Sequence, residues 1–310
     1  MIELKKSILF VRAKGDNEYL DITNRGYTVV DPYYGKKLFA RLLRELFFRL
    51  RLPFRKAWYR KIPKIENYDY VIIFDPLITE DYLKWLLKKT SLKTKLVFTY
   101  GNLIGNARHI QPNKIPQKYE VFTYDENDAA KYGLKLNNHV MLSPKALSLT
   151  KTKKEFDVTF IGIDKGRGPQ LKKIEKRFQR QGLKTFFYIV PNRKHPLQNR
   201  SGLKPLKYSK FLNYVSKSKA ILNYVYEEQS AISLRDIEAL SNGIKLITNN
   251  QSIRERFFYN SDDIFVLGID DESNLSNFIE KPFRQLPPSF FSYYSFESWL
   301  STFTEVTLIQ

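Results

Sequence analysis

The sequence predicts an α/β protein built from two successive Rossmann-like units. Three observations carry that prediction. Short apolar runs of strand length alternate with amphipathic helical stretches, a polar and basic stretch at 143–155 interrupts the alternation once, and a second alternating series begins directly after it. Alternation of this kind implies mostly parallel strands covered by helices on both faces. The 310-residue length suits two domains of ordinary size, and 43% hydrophobic residues are enough for two cores. The expected boundaries are 1–145 and 156–294, followed by a closing segment at 295–310.

Taken in order, the first unit has strands expected at Ser7 to Ala13, Tyr27 to Asp31, Tyr70 to Asp75, Lys95 to Tyr100 and Glu120 to Tyr124. Its helices are expected at Lys36 to Arg51, at Thr79 to Lys89 with Thr79 as cap and Asp81 in the first turn, and at Glu126 to Tyr132 before Gly133. The stretch SPKALSLTKTKKE reads as a linker. The second unit then opens with strand Phe156 to Ile163 and helix Pro169 to Gln181, closed by Gly182. Strand Thr185 to Val190, helix Ser209 to Ser216 and strand Ala220 to Val225 follow, then helix Ser233 to Leu240, stopped by Gly243. Strand Lys245 to Thr248, helix Ser252 to Phe258, strand Ile264 to Leu267 and helix Glu272 to Glu280 complete it, and Ser295 to Leu308 reads as helical.

Composition removes several classes of chemistry. Without cysteine there is neither a disulfide nor a thiolate metal site, and the three scattered histidines, His109, His139 and His195, suggest no metal cluster. No stretch approaches the ~20 apolar residues that cross a bilayer, and no signal-peptide pattern opens the chain, so a cytoplasmic location is expected. The net charge of +20 draws the protein to polyanions. No helix-turn-helix, RNA-binding or zinc module accompanies that charge, so nucleic acid is not the expected partner. Much of the charge is local: between Lys36 and Lys64 there are eleven basic residues against the single acid Glu45. Within this stretch Leu38, Phe39, Leu42, Leu43, Leu46, Phe47 and Leu50 follow helical spacing, with Arg41, Arg44 and Arg51 opposite. The helix either turns its apolar face to the core and its basic back to water, or rests with Phe54, Trp58 and Tyr59 on anionic lipid; both can hold.

Two segments of the second unit point to a phosphate ligand. Residues 227–250, EEQSAISLRDIEALSNGIKLITNN, read as a polar loop, a helix carrying Ser233, Arg235 and Glu238, the stop Gly243 and a buried strand. A helix starting just after such a loop directs free N–H groups and the positive dipole end at an anion. Glu238, one to two turns further in, suits the two hydroxyls of a ribose. The other segment is the strand-to-helix turn Gly162-Ile163-Asp164-Lys165-Gly166-Arg167-Gly168-Pro169, where glycines let backbone approach an anion and Lys165 or Arg167 supplies charge. Its spacing is neither a Walker A motif nor GxGxxG, and turn glycines without a ligand would look the same.

These segments resemble the donor-binding region of GT-B glycosyltransferases, two Rossmann-like domains facing a cleft. The resemblance implies that the Gly162-x-Asp164-x-x-Arg167 turn, with Gly166 and Gly168, faces the donor phosphates. The loop Gln229, Ser230, Ala231, Ile232 and Ser233, with Arg235, would hold the departing diphosphate, and Glu238 the ribose. Tyr188 to Pro191 would lie near the nucleobase, with Tyr208 stacking on it, and the 295–310 helix would cross back onto the first domain. Many retaining members carry two glutamates eight positions apart; here Ser230 occupies the earlier place, which leaves the stereochemistry open. The first domain would hold the acceptor, with Asp75, Asp16, Asn102 or His109 as candidate bases and Asp75 the first choice. The implied activity is sugar transfer from a nucleotide-sugar co-substrate, without a metal or other cofactor, to a glycan or lipid-linked acceptor of surface polysaccharide or lipopolysaccharide assembly, at the inner face of the cell membrane. A nucleotide-sugar epimerase, a non-catalytic GT-B partner subunit and a basic nucleic-acid-binding protein are the alternatives.

Overall fold

The computed structural model describes residues 7–12, 22–35, 37–105, 109–137, 149, 152–191, 202–226 and 229–304. Asp16, most of the expected linker and Asn192 to Lys194 lie outside the described residues. The chain divides into two compact units, Met1–His139 with Trp299–Gln310, and Val140–Ser298.

In the first unit β1 (Ile8–Val11), β2 (Thr28–Val30), β3 (Tyr70–Phe74), β4 (Lys95–Thr99), β5 (Tyr119–Thr123) and β6 (Lys135–Leu136) form one parallel sheet in the order β2-β1-β3-β4-β5-β6. Its helices are α1 (Leu38–Arg49), α2 (Glu80–Leu87) and α3 (Glu126–Tyr132). The expected cap forms, Thr79 Oγ1 accepting from the Tyr82 amide at 3.2 Å, and α3 has a cap that was not expected, Asp125 Oδ1 accepting from the Asp128 amide at 3.1 Å. Gly133 ends α3 with φ at 64°, the left-handed conformation that glycine adopts without a Cβ clash. Every residue of β1 is buried, as are the first four of β3, because protein covers both faces of the sheet. Trp299 supplies part of that cover, its ring 5.8 Å from Phe74 and 6.3 Å from Phe10.

In the second unit β7 (Phe156–Ile163), β8 (Thr185–Val190), β9 (Ser218–Asn223), β10 (Lys245–Thr248) and β11 (Ile264–Val266) are likewise parallel, in the order β11-β10-β9-β7-β8. They alternate with α4 (Gly168–Arg180), α5 (Tyr208–Ser216), α6 (Leu234–Ser241) and α7 (Leu275–Glu280), α8 (Pro288–Tyr293) follows, and α9 (Phe296–Ser301) begins in this unit and ends in the first. The helix expected at Ser252 to Phe258 is instead a short 3₁₀ segment, Gln251–Glu255, where the Asn250 side chain holds the Ser252 amide. In both units the first strand lies between the second and the third, so the direction of winding reverses there. Ligands of doubly wound sheets bind beyond the carboxyl ends of the strands at that reversal. Among the described residues no helix is long and apolar enough to cross a membrane.

Of the two readings of helix α1, the one in which its apolar face meets the core does not hold. Arg44, expected on the solvated side, is only 8% exposed, whereas Phe39 is 79% exposed and Leu42, Leu43, Leu46 and Leu50 also face water. The docking face is made by Arg44 and Phe48. The Arg44 guanidinium lies 5.0 Å from the Tyr33 ring centroid and donates to the Tyr34 carbonyl at 3.2 Å. Phe48 meets Tyr33 edge-on at 5.1 Å, and Phe47 meets Trp58 at 5.9 Å. Aromatic faces and a free carbonyl accept an arginine, so the side that docks need not be the aliphatic one. Arg44→Ala is accordingly expected to cost about 1–2 kcal/mol of stability, whereas Leu42→Ser should change it by less than about 0.5 kcal/mol. Urea denaturation of both variants checks this, and equal losses would contradict the orientation of α1.

Candidate functional site

The two phosphate-oriented segments meet in the second unit at the reversal of its sheet. Strand β7 runs into a turn in which Lys165 and Gly166 take left-handed φ values of 50° and 91°. Arg167 ties this turn to the chain leaving β9. Its guanidinium donates to the Asp164 carbonyl at 3.3 Å, to the Ile163 carbonyl at 3.2 Å and to the Tyr224 carbonyl, and it lies 5.2 Å from the Tyr226 ring. The Tyr226 hydroxyl in turn donates to the Lys165 carbonyl at 3.0 Å. Arg167 thus binds backbone with several of its N–H groups, and only those remaining can reach an anion.

Asp164 faces the helix it precedes. Its carboxylate accepts from the Gly168 amide at 2.5 Å, and a Cβ at Gly168 would lie 2.8–3.0 Å from that carboxyl group. A side chain at 168 would therefore push the Asp164 carboxylate out of this hydrogen bond. The start of α6 is closed in a similar way. Ser233 and Asp236 form a reciprocal capping box, with the Ser233 amide donating to Asp236 Oδ2 at 2.8 Å. Asn223, the last residue of β9, donates to Ser233 Oγ at 2.9 Å and to Asp236 Oδ1 at 2.6 Å. Carboxylates of the chain therefore already sit at both helix starts where an outside anion was expected.

What remains available is cationic. Arg235 donates to Asn223 Oδ1 at 3.1 Å and lies 5.9 Å from the Phe160 ring, and its Nε is buried without a hydrogen-bond partner among the described residues. Gly162 adjoins it: a Cβ there would lie 3.6 Å from Arg235 Nη2. Burial, and secondarily the positive potential of Arg167 and Arg235, lower the pKa of Lys165, although much of that residue is exposed. Three cations thus share one electrostatic field beyond the ends of β7 and β9.

The other expected site residues are placed less favourably. The Gln229 to Ser233 loop is stitched inward, the Ser230 carbonyl accepting from Asn250 Nδ2 at 3.1 Å and from Ser252 Oγ at 2.6 Å, while Ala231 and Ile232 are buried. Gln229 Nε2 reaches the Ala231 carbonyl at 3.3 Å. Glu238 is 2% exposed and accepts a hydrogen bond from the Tyr208 hydroxyl, so a ribose would have to share the carboxylate with that hydroxyl. Burial pushes the Glu238 carboxyl up to about 7, against the opposing influence of Tyr208 and Arg235. Tyr208 stacks on Phe211 at 6.2 Å, and Tyr188 donates to the Lys204 carbonyl at 2.8 Å.

In the first unit Asp75 follows β3 at that sheet's own reversal, and the structure brings it to His109. The Nδ1 of His109 bonds Asp75 Oδ2, the imidazole side chain is 5% exposed, and Asp75 Oδ1 is buried with no partner among the described residues. Burial raises the Asp75 pKa, while the bond to His109 opposes the rise. An imidazole oriented by a buried carboxylate is an arrangement that can take a proton from a hydroxyl. Asn102 is exposed nearby in sequence. The residues that sequence reasoning passed over are Asn223, Tyr224, Tyr226 and Asp236; of these only Asp236 had a local signature, its Ser233-x-x-Asp236 spacing. Among the described residues no three His, Asp or Glu side chains gather to hold a metal.

No protein-family model matches the chain, and no curated protein matches it. Among solved structures it is similar to a sucrose-phosphate synthase from Thermosynechococcus elongatus, over 89% of this chain and 89% of that one, with a TM-score of 0.41 and 11% sequence identity. Likeness of that degree carries no argument about activity; the α/β class stands on the two parallel sheets and their strand order.

Proposed function

We propose that the protein is a GT-B-type glycosyltransferase that takes a nucleotide sugar on its second unit and a glycan or lipid-linked glycan acceptor on its first. The observation that carries this reading is the grouping of Lys165, Arg167 and Arg235 at the sheet reversal, with the Arg235 Nε buried and without a partner among the described residues. A diphosphate supplies the charge and the acceptor atoms that such a group lacks. In the reaction the bond from the anomeric carbon to the diphosphate oxygen breaks, an acceptor oxygen bonds that carbon, and the hydroxyl proton passes to a base. The nucleoside diphosphate leaves with the electron pair, and fixed cations at the leaving oxygens stabilise it as its charge develops. The pair His109 and Asp75 is the candidate base, and the setting in surface polysaccharide assembly belongs to the same proposal.

Because Asp236 closes the α6 start, the side chains of Arg235 and Lys165, rather than the amides there, are the proposed phosphate contacts. Titration calorimetry with UDP- and GDP-sugars tests this, with a CMP-sugar, which carries a single phosphate, as the comparison. One nucleotide class is expected to bind, and Lys165→Ala, which removes a partly exposed side chain, should weaken binding by roughly tenfold with the melting temperature unchanged. Absence of binding by every nucleotide sugar, together with salt-dependent retention of random DNA, would transfer the charge argument to nucleic acid.

A further inference from the structure

We infer that the outward face of α1 and the turn after it form a membrane-docking surface whose occupant is an anionic phospholipid bilayer. The proposal stands apart from the donor-site reading and concerns a different unit. Phe39, Leu42, Leu43, Leu46 and Leu50 recur at helical spacing, and all are exposed. Such a row of large side chains along a helix roughly 17 Å long is far from the scattered exposure of single apolar residues. Phe54 extends the row. It is 82% exposed, and its backbone is left-handed with φ at 63°, which is unfavourable for a bulky residue and is not offset by packing of its ring.

The surrounding charge selects the occupant. Arg49, Arg51 and Lys56 are exposed and form no ion pair with a carboxylate among the described residues, Arg51 lying only in the field of Glu80. The nearby acids are already paired: Glu45 with Arg41 at 3.9 Å, Asp81 with Arg55 at 2.8 Å, and Glu80 with Lys84 at 2.5 Å. Beside the apolar row an open groove lined by Arg51, Phe54, Lys56, Trp85 and Lys88 sets cations against apolar walls. Lipid phosphates match the cations while acyl chains match the leucines. A second copy docking by the same face would add a second set of the cations Arg49, Arg51 and Lys56 to the contact and no free carboxylate to meet them, and nucleic acid gives no reward for exposed leucines. The face toward the protein is closed by Arg44 and Phe48, so α1 can present this row without unfolding.

Cosedimentation of the full chain with vesicles of phosphatidylcholine and phosphatidylglycerol tests the proposal, with phosphatidylcholine alone as the comparison. The wild type is expected to partition onto the anionic vesicles at least tenfold more strongly than onto the neutral ones. The combined variant Phe39→Ser, Leu42→Ser, Leu46→Ser should lose on the order of tenfold in partitioning for each side chain, with its thermal transition and nucleotide binding unchanged. Arg49→Gln with Arg51→Gln and Lys56→Gln should remove the preference for anionic lipid. Equal sedimentation of the serine variant and the wild type overturns the proposal. So does a wild-type dimer, seen by sedimentation velocity and abolished by the serine changes, in a chain that ignores both kinds of vesicle.

Discussion

Asp75→Ala is expected to lower the stability of the first unit by on the order of 3 kcal/mol, because it strands a buried imidazole. The His109 side chain is 5% exposed and its Nδ1 bonds Asp75, so removal of the carboxylate leaves that nitrogen without its partner in a site that water scarcely reaches. Asp75→Asn separates structure from chemistry, since it keeps the volume and an oxygen acceptor while removing the charge that supports a protonated imidazole. That variant should melt close to the wild type. Within the proposed reaction its turnover should fall about 10²–10⁴-fold, and the dependence of rate on pH should move. Denaturant unfolding and initial rates with the nucleotide sugar that binds measure the two effects. An alanine variant as stable as the wild type would contradict the buried pair, and an asparagine variant with normal turnover would remove the pair from the reaction.

Glu238→Gln carries the second large effect, and its sign is opposite: the variant should be more stable than the wild type at alkaline pH. Burial holds the folded carboxyl at about 7 against the usual 4.5. The folded chain therefore binds this proton more tightly than the unfolded one. The group favours folding fully below about pH 4.5, and that contribution is lost as pH rises to about 7. By pH 8 the ionised, buried carboxylate costs about 3 kcal/mol relative to its protonated form. Glutamine keeps an oxygen for the Tyr208 hydroxyl and carries no charge, so its advantage should be slight at pH 4 and reach that value by pH 8. Melting of both proteins across this range gives the test; parallel curves would show that the carboxyl is not held neutral. The same variant bears on ligand binding, since Tyr208 already occupies Oε1. A nucleotide whose ribose bonds Glu238 should bind less tightly to the variant, and unchanged affinity would place the ribose elsewhere.

The sequence was most legible where structure follows from neighbours in the chain. The apolar runs of β3 and β4, the cap Thr79, the turn at Gly133 and the glycine-rich end of β7 all appear where local pattern put them. Ser252 to Phe258 was misread because helical spacing cannot show that Asn250 closes the first turn as a 3₁₀ segment. The site was legible as segments and not as contacts. Residues 162–168 and 229–238 do converge, yet Asp164 and Asp236 close the helix starts that seemed open, and Arg167 turns to carbonyl oxygens. A sequence motif names the charges of a turn but does not say which atoms of the turn they neutralise.

By itself the sequence determined two series of alternating strands and helices, their separation, the excess of positive charge and the amphipathic division of α1, because periodicity, capping and backbone preference act over a few residues. Only the tertiary structure decided which side of α1 meets the core, since Tyr33 and the Tyr34 carbonyl, rather than aliphatic side chains, wait there for Arg44. It alone joined Asp75 to His109 across 34 positions, Arg167 to Tyr224 across 57, and Tyr208 to Glu238 across 30. Each of those pairs depends on the order in which parallel strands and the helices between them lie side by side, and that order is set by packing on both faces of a sheet, which no local window of sequence contains.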